Sequence, residues 1–163
     1  MAASDEGLGS WTDDLHGRLA ELLDEYREVL LASLDGLTDD EARARLVPSP
    51  TTLLGLVKHA TFVEGVWFDQ ALTGRTYAEI GIASSPSRSF TLTAGDTIAS
   101  VQEAYRQRCA ASRAAMAELS LDAVVSGRGD RPVWALLLQV VRELAHHSGH
   151  ADILREQVLA RRG

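Results

Sequence analysis

Three of the five histidines lie close together near the C-terminus, in the stretch from Arg142 to His150. At about 100° per residue in a helix, Glu143 and His147 are i and i+4, and His150 is i+3 from His147, so these three share one face. His146 and His150 form a second i,i+4 pair, which remains open as the alternative. Helical bundles bind divalent metals with carboxylate and imidazole groups at such spacings. The stretch therefore predicts a metal site.

One more histidine, His59, lies on an apolar helical stretch and is the natural ligand on a facing helix. A single helical histidine is usually a core or surface residue whose ring nitrogens are hydrogen-bonded. A carboxylate such as Glu143 is usually solvated or paired with arginine. The clustering of the histidines with Glu143 favours a metal site over these alternatives, since a buried carboxylate needs a charged partner and a divalent cation supplies one. Two imidazoles and a carboxylate suit Zn, Ni, Fe or Mn, with Zn the metal we expect first.

Composition excludes several classes of protein. The 163 residues carry a net charge of −7, and without a basic stripe we expect no nucleic-acid partner. No apolar run reaches the roughly 18 residues of a membrane span, so we expect no membrane partner. The lone Cys109 cannot form an intramolecular disulfide, and no basic, apolar leader is visible, so we expect a cytoplasmic protein. We interpret Cys109 as a small buried hydrophobe.

Hydrophobic periodicity places these residues on helices. Residues 1–10 are small and polar and predict a disordered tail, and a helix follows from Trp11 to about Leu34, with Thr12 or Asp13 as its cap. Thr38-Asp39-Asp40-Glu41 has the form of a capping box and predicts a short connecting helix. A second long helix opens at Ser49-Pro50-Thr51, contains His59, and ends near Thr73-Gly74.

The remainder predicts two more helices and two irregular segments. Residues 75–93 predict a long surface loop. A third helix is predicted from about Ala94 to Leu119, with Thr93 as its cap. Residues 122–130 are irregular, and a fourth helix follows with Pro132 in its first position. We interpret the aromatic residues of these helices as core: Trp67, Phe68 and Trp134. The prediction is an all-α four-helix bundle with a short connecting helix, forming one domain over residues 11–163.

Two motifs carry a family resemblance. The first runs from Pro48 to His59 with the sequence PSPTTLLGLVKH and is followed by Trp67-Phe68; the second is ELAHHSGHADILRE, from Glu143 to Glu156. Together they resemble an actinobacterial branch of the DinB superfamily, which includes DinB and YfiT-type metalloproteins and the mycothiol-dependent maleylpyruvate isomerases. The resemblance covers nearly the whole folded chain.

The resemblance implies a DinB-like four-helix bundle with one metal ligand from the second helix and two from the last. By position, His59 matches the first ligand. Aligning the glycine of the family motif with Gly149 places the other two at Glu143 and His147. His150 then falls beside the metal, as an optional fourth ligand or a group that orients the others.

The activity implied is a metal-dependent S-transferase or isomerase, in which the thiolate of mycothiol attacks a small electrophilic substrate. Two alternatives remain. The protein is a metal-binding or stress-associated bundle that catalyses nothing, or the polar cluster of the last helix is a hydrogen-bonded interface of a homodimer. Dimers are common in the resembling family.

Overall fold

In the computed structural model, which describes residues 14–163, long helices form an all-α bundle, as predicted. The four long helices within these residues are α1 Leu15–Ala32, α3 Leu53–Gly65, α6 Ile98–Met116 and α7 Val133–Ala160. Helix α1 contacts α7, and α3 lies against both α6 and α7. The tail expected at residues 1–10 and the candidate caps Thr12 and Asp13 lie outside the described residues.

The short connecting helix is also confirmed, as α2 Asp39–Ala42. Its capping box is complete: the Glu41 backbone N–H donates to Thr38 Oγ1 at 3.2 Å, and the Thr38 N–H donates to Glu41 Oε2 at 2.8 Å. These bonds satisfy amide groups that a helix start leaves without partners.

Helix α3 begins where Thr52 Oγ1 accepts the Gly55 N–H at 3.0 Å. The helix continues beyond Gly65 through a π-helical turn, Val66–Gln70, and a last α-helical turn, α4 Ala71–Thr73. It ends at Gly74, whose φ of 74° is the left-handed conformation that glycine adopts without a Cβ penalty. The end was predicted, whereas the π-helical turn was not.

The predicted surface loop of residues 75–93 is partly structured. A second complete capping box, Thr76 with Glu79, starts the short helix α5 Tyr77–Ile80, and a 3₁₀ turn follows at Arg88–Phe90. The prediction that Thr93 caps the third helix is wrong. The Thr93 N–H donates instead to the Asp96 carboxylate at 2.6 Å in a separate turn, and Thr97 caps α6, accepting the Ser100 N–H at 3.1 Å.

Residues 122–130 include half of a small hairpin, in which β1 Val124–Val125 pairs antiparallel with β2 Arg131–Pro132. Pro132 is therefore the cap of α7 and not its first residue. Trp134 is 43 % exposed, so its assignment to the core is wrong. The inward face of α7 is taken by Val133, Leu136 and Leu137, which leaves Trp134 on the opposite side.

The core holds a buried ion pair as well as aliphatic side chains. Arg27 on α1 donates to both carboxylate oxygens of Glu64 on α3, at 2.8 and 2.9 Å, and Glu64 is fully buried. Cys109 is buried nearby, as predicted, and burial raises the pKa of its thiol to about 12. None of the helices within residues 14–163 is long and apolar enough to cross a membrane.

Candidate metal centre

The bundle brings together the three side chains that the family resemblance indicated as ligands. His59 on α3 faces Glu143 and His147 on α7, and one ligand atom from each lies within 4.8 Å of the others. His59 and His147 are 6 % and 8 % exposed, while Glu143 is half-buried. His147 faces inward because it shares the buried stripe of α7 with Leu144 and Ala151.

The orientation and tautomer of His59 are set by a serine that sequence reasoning missed. His59 Nδ1 lies 2.6 Å from Ser89 Oγ, and the Ser89 hydroxyl donates to the Pro86 carbonyl. Because that carbonyl can only accept, the single hydroxyl proton of Ser89 is committed to it, and Nδ1–H must be the donor to Ser89. His59 Nε2 therefore keeps its lone pair for another ligand.

A ring stack fixes the same imidazole from the side. The His59 ring lies parallel to Phe90, with centroids 4.0 Å apart and planes inclined by 14°. Phe90 follows Ser89 directly, so one 3₁₀ turn supplies both the hydrogen-bond acceptor and the stacking partner. In sequence, Ser89 resembles the other serines of its loop (Ser84, Ser85 and Ser87), and only its burial distinguishes it.

His147 has two ring nitrogens without hydrogen-bond partners within the described part of the chain, although both atoms are buried. Its Nε2 lies 3.6 Å from Glu143 Oε2, which is beyond a normal hydrogen bond. A buried polar group without a partner costs free energy, and such an orphan in a folded protein commonly marks an ion or a water. A metal held between His59, Glu143 and His147 would bind one of the two nitrogens and remove the cost for that one.

Glu143 is held by its second oxygen. Gln139, one turn earlier on α7, donates to Oε1 at 3.0 Å, and Arg142 donates to the same oxygen at 3.3 Å. Arg142 itself is 71 % exposed, so its charge is well screened by water. Oε2 is left directed towards His147. The carboxylate is thus oriented in the way that outer hydrogen bonds orient metal ligands.

His146 and His150 lie on the exposed side of α7. Their rings are 4.4 Å apart, so they form the second i,i+4 pair that the sequence left open. Within residues 14–163, however, no third candidate ligand joins them, and the one group of three is His59, Glu143 and His147. The His150 ring centroid is 5.7 Å from that of His147, so a role for His150 beside the metal remains a prediction.

Burial also keeps the two histidines of the centre neutral. It lowers the pKa of His59 to about 4, with a smaller contribution from the neighbouring His147. Burial likewise lowers the pKa of His147, and Glu143 opposes that shift in part. Neutral imidazole is the form that binds metals. At neutral pH neither ring therefore needs to lose a proton before it binds a metal ion.

Comparison with known families agrees with this geometry. The sequence profile of the mycothiol-S-transferase family matches residues 18–160, nearly all of the described chain. The chain belongs to this family. The mycothiol-S-transferase family is part of the DinB/YfiT-like superfamily, which confirms the resemblance carried by the two motifs. No curated protein matches the chain significantly.

In a chain of the mycothiol-S-transferase family, two imidazoles and one carboxylate form a set of donors that leaves room for a further ligand. Catalytic zinc sites have three protein ligands and keep a position for water or substrate, whereas structural sites use four. The partial exposure of Glu143 puts solvent access on its side of the centre. The arrangement therefore suits a site at which a small molecule binds beside the protein donors.

Proposed function

We propose that the protein is a divalent-metal-dependent mycothiol S-transferase that joins the thiol sulfur of mycothiol to a small electrophile. Family membership supports the thiol. The metal is supported mainly by one observation, the two unpartnered ring nitrogens of buried His147 beside Glu143 and His59. The donor set suits Zn first, and Ni, Fe or Mn also.

His59, Glu143 and His147 would hold the metal. When bound, a divalent cation lowers the pKa of a thiol in contact with it, so that a thiolate exists near neutral pH. The protein's own groups prepare the donors: Ser89 fixes the tautomer of His59, and Gln139 turns Glu143 Oε2 inward. Phe90 covers the His59 ring and keeps water from that side.

The metal assignment is tested by elemental analysis of protein purified without a histidine tag. Wild type is expected to contain a stoichiometric divalent metal, and His59→Ala, Glu143→Ala and His147→Ala are each expected to lose it. The double variant His146→Ala/His150→Ala is the matched control, because it removes two imidazoles of the same helix outside the group of three. Metal that is lost from the control and retained by the other three would overturn the assignment.

The transferase activity is tested separately, by following mycothiol conjugation to a panel of electrophiles. Acceleration by metal-loaded wild type and its loss in His147→Ala are expected. A protein that binds metal through the three residues but accelerates no conjugation would be the non-catalytic metal-binding bundle instead. Thermal stability that is unchanged by metal chelation would favour the remaining alternative, in which the helix-α7 cluster is a hydrogen-bonded interface of a homodimer.

A further inference from the structure

Two arginines lie over one tryptophan in the π-helical turn that follows α3. The guanidinium carbon of Arg128 is 5.3 Å from the ring centroid of Trp67, and that of Arg131 is 5.6 Å from it. Both distances are within the range of a cation–π contact. We call Trp67, Arg128 and Arg131 the arginine–tryptophan patch. It joins the π-helical turn after α3 to the hairpin before α7.

The patch is held in place by backbone contacts. The Gly127 N–H donates to the Ala71 carbonyl at 2.9 Å, and a Cβ on Gly127 would lie 2.2 Å from the Gln70 carbonyl oxygen. Only glycine allows this approach of two backbones. The loop therefore carries Arg128 directly against the π-helical turn, a kind of turn that is frequent at functional sites.

Side-chain hydrogen bonds then fix Arg128. Its Nη1 donates to Gln70 Oε1 at 2.8 Å and to the Tyr77 hydroxyl at 3.2 Å. Arg131 Nε donates to the Arg128 carbonyl at 3.2 Å. These bonds occupy one edge of each guanidinium. The other terminal nitrogens have no hydrogen-bond partner within residues 14–163, so each arginine retains donors for a further acceptor.

The charge of the patch is also unmatched. Neither Arg128 nor Arg131 forms an ion pair within residues 14–163, and their neighbour Asp130 forms none with them, although the chain carries a net charge of −7. Two other arginines near the π-helical turn, Arg75 and Arg108, both bind Asp69 at 3.1 Å. The local carboxylate is thus already used, and the patch keeps two positive charges.

Aromatic contacts connect the patch with the metal centre. Phe62 lies beside His59 with ring centroids 6.0 Å apart, and it meets Tyr77 edge-on at 5.4 Å. Tyr77 in turn accepts the hydrogen bond from Arg128. Position 59 on α3 and position 67 in the π-helical turn that continues it are about 12 Å apart along the helix axis at 1.5 Å per residue. A small elongated molecule has that length.

We propose that the arginine–tryptophan patch binds the carboxylate of the electrophilic substrate while the reacting carbon lies at the metal centre. This rests on the function proposed above. Guanidinium groups match carboxylates geometrically, because two parallel N–H groups can meet the two carboxylate oxygens. The cavity of about 440 Å³ beside Ser89 is the weaker candidate, because its lysine, Lys58, is already paired with Asp96 at 2.7 Å.

The reaction arm uses a matched pair of acceptors, 6-acrylamidohexanoic acid and its neutral methyl ester. Mycothiol sulfur adds to the terminal alkene carbon, the π electrons move to the carbon next to the carbonyl, and that carbon takes up a proton equivalent to the one lost by the thiol. No oxidant or reductant is needed. Because the two acceptors differ in charge far from the alkene, a difference in kcat/KM reports recognition of the carboxylate.

The binding arm needs no turnover. Isothermal titration calorimetry of metal-loaded protein with the saturated analogue, 6-propanamidohexanoate, and with its methyl ester measures the same preference without chemistry. The acid is expected to bind about tenfold more tightly than the ester, since a charge-assisted hydrogen bond to an exposed pair contributes at the lower end of its range. The preference should shrink as ionic strength rises.

The double variant Arg128→Gln/Arg131→Gln should bring the acid down to the level of the ester and leave the ester unchanged. Arg161→Gln is the matched control, because it removes one exposed arginine about 21 Å along α7 from His147. Compared with this double variant, Arg128→Lys should retain part of the preference for the acid, since lysine keeps the charge but lacks the planar guanidinium group.

Equal binding of acid and ester to wild type would overturn the proposal. A double variant that binds the acid and the ester equally less well than wild type would also overturn it, because that result would show a structural role for the two arginines. A preference in calorimetry with no turnover of either acceptor would support carboxylate binding and count against the transferase function alone.

Discussion

The hydrogen bond from His59 to Ser89 gives the sharpest test of the candidate centre. In Ser89→Ala, the His59 Nδ1–H loses its acceptor at a position that is 6 % exposed, and Ser89 itself is 1 % exposed, so water has little access to replace the hydroxyl. Leaving a buried donor unpaired costs about 1–3 kcal/mol. We expect the free energy of unfolding of the metal-free variant to fall by an amount in this range.

Metal affinity should fall as well. Without Ser89, the His59 ring is free to place its proton on either nitrogen and to rotate against Phe90, so the lone pair is less well presented. Loss of such an orienting group typically costs about 10- to 100-fold in metal affinity, which corresponds to about 1.4–2.8 kcal/mol. Competition with a chromophoric zinc chelator measures the affinity, and urea unfolding of chelator-treated protein measures the stability.

Ser87→Ala is the matched control for Ser89→Ala. Ser87 lies in the same loop, is exposed, and its hydroxyl bonds Ser85 Oγ at 3.2 Å. It should change neither quantity. A Ser89→Ala protein that binds zinc within a factor of two of wild type would refute the reasoning, because the tautomer of His59 would then not depend on Ser89. A fall in affinity in both variants would point to the loop and not to this hydrogen bond.

Two further predictions follow from buried charges. Since the pKa of His59 is lowered to about 4 in the folded protein, the unfolded chain takes up the proton first as pH falls from about 6.5. The free energy of unfolding of the metal-free protein should therefore fall by about 3 kcal/mol between pH 6.5 and 4 because of His59. His59→Phe keeps the stack on Phe90, and its free energy of unfolding, measured by urea titration at each pH, should fall by correspondingly less. Equal falls in the two proteins would contradict the lowered pKa of His59. Glu64→Gln removes one of the two carboxylate partners of buried Arg27 and leaves Asp24 at 2.9 Å, so it should cost about 1.5–3 kcal/mol, the range for a hydrogen bond to a charged group. Arg27→Met/Glu64→Leu should cost less than the sum of the two single changes in urea unfolding, and an additive loss would exclude ion-pair coupling.

Local rules predicted the helices and their simplest boundaries. The Thr38 capping box and the glycine end at Gly74 depend on residues within one or two turns, and both are found. The start of α6 was misplaced because Thr93 and Thr97 are each suitable caps in sequence. Asp96 decided between them: it accepts from Thr93 and also pairs with Lys58, 38 residues away. A local pattern contains no information on that second contact.

The arginine–tryptophan patch and the exposure of Trp134 also depend on contacts between residues far apart in the chain. Nothing in the spacing of Trp67 and Arg128 indicates that they meet, since the contact depends on how the hairpin docks on the π-helical turn. Trp134 reads as core by its type and position, yet the neighbouring aliphatic residues occupy the inward face of α7. Which face of a largely apolar helix is buried is decided by its partners.

Helix geometry is a local property of the backbone, so the residue spacing is enough to show that Glu143 and His147 share a helical face and that His59 is the candidate opposite them. Tertiary structure alone decided that His147 faces inward while His146 and His150 are exposed, and that Ser89 from a distant loop commits the proton of His59. Such contacts arise from packing between elements, and no periodicity in the chain records them.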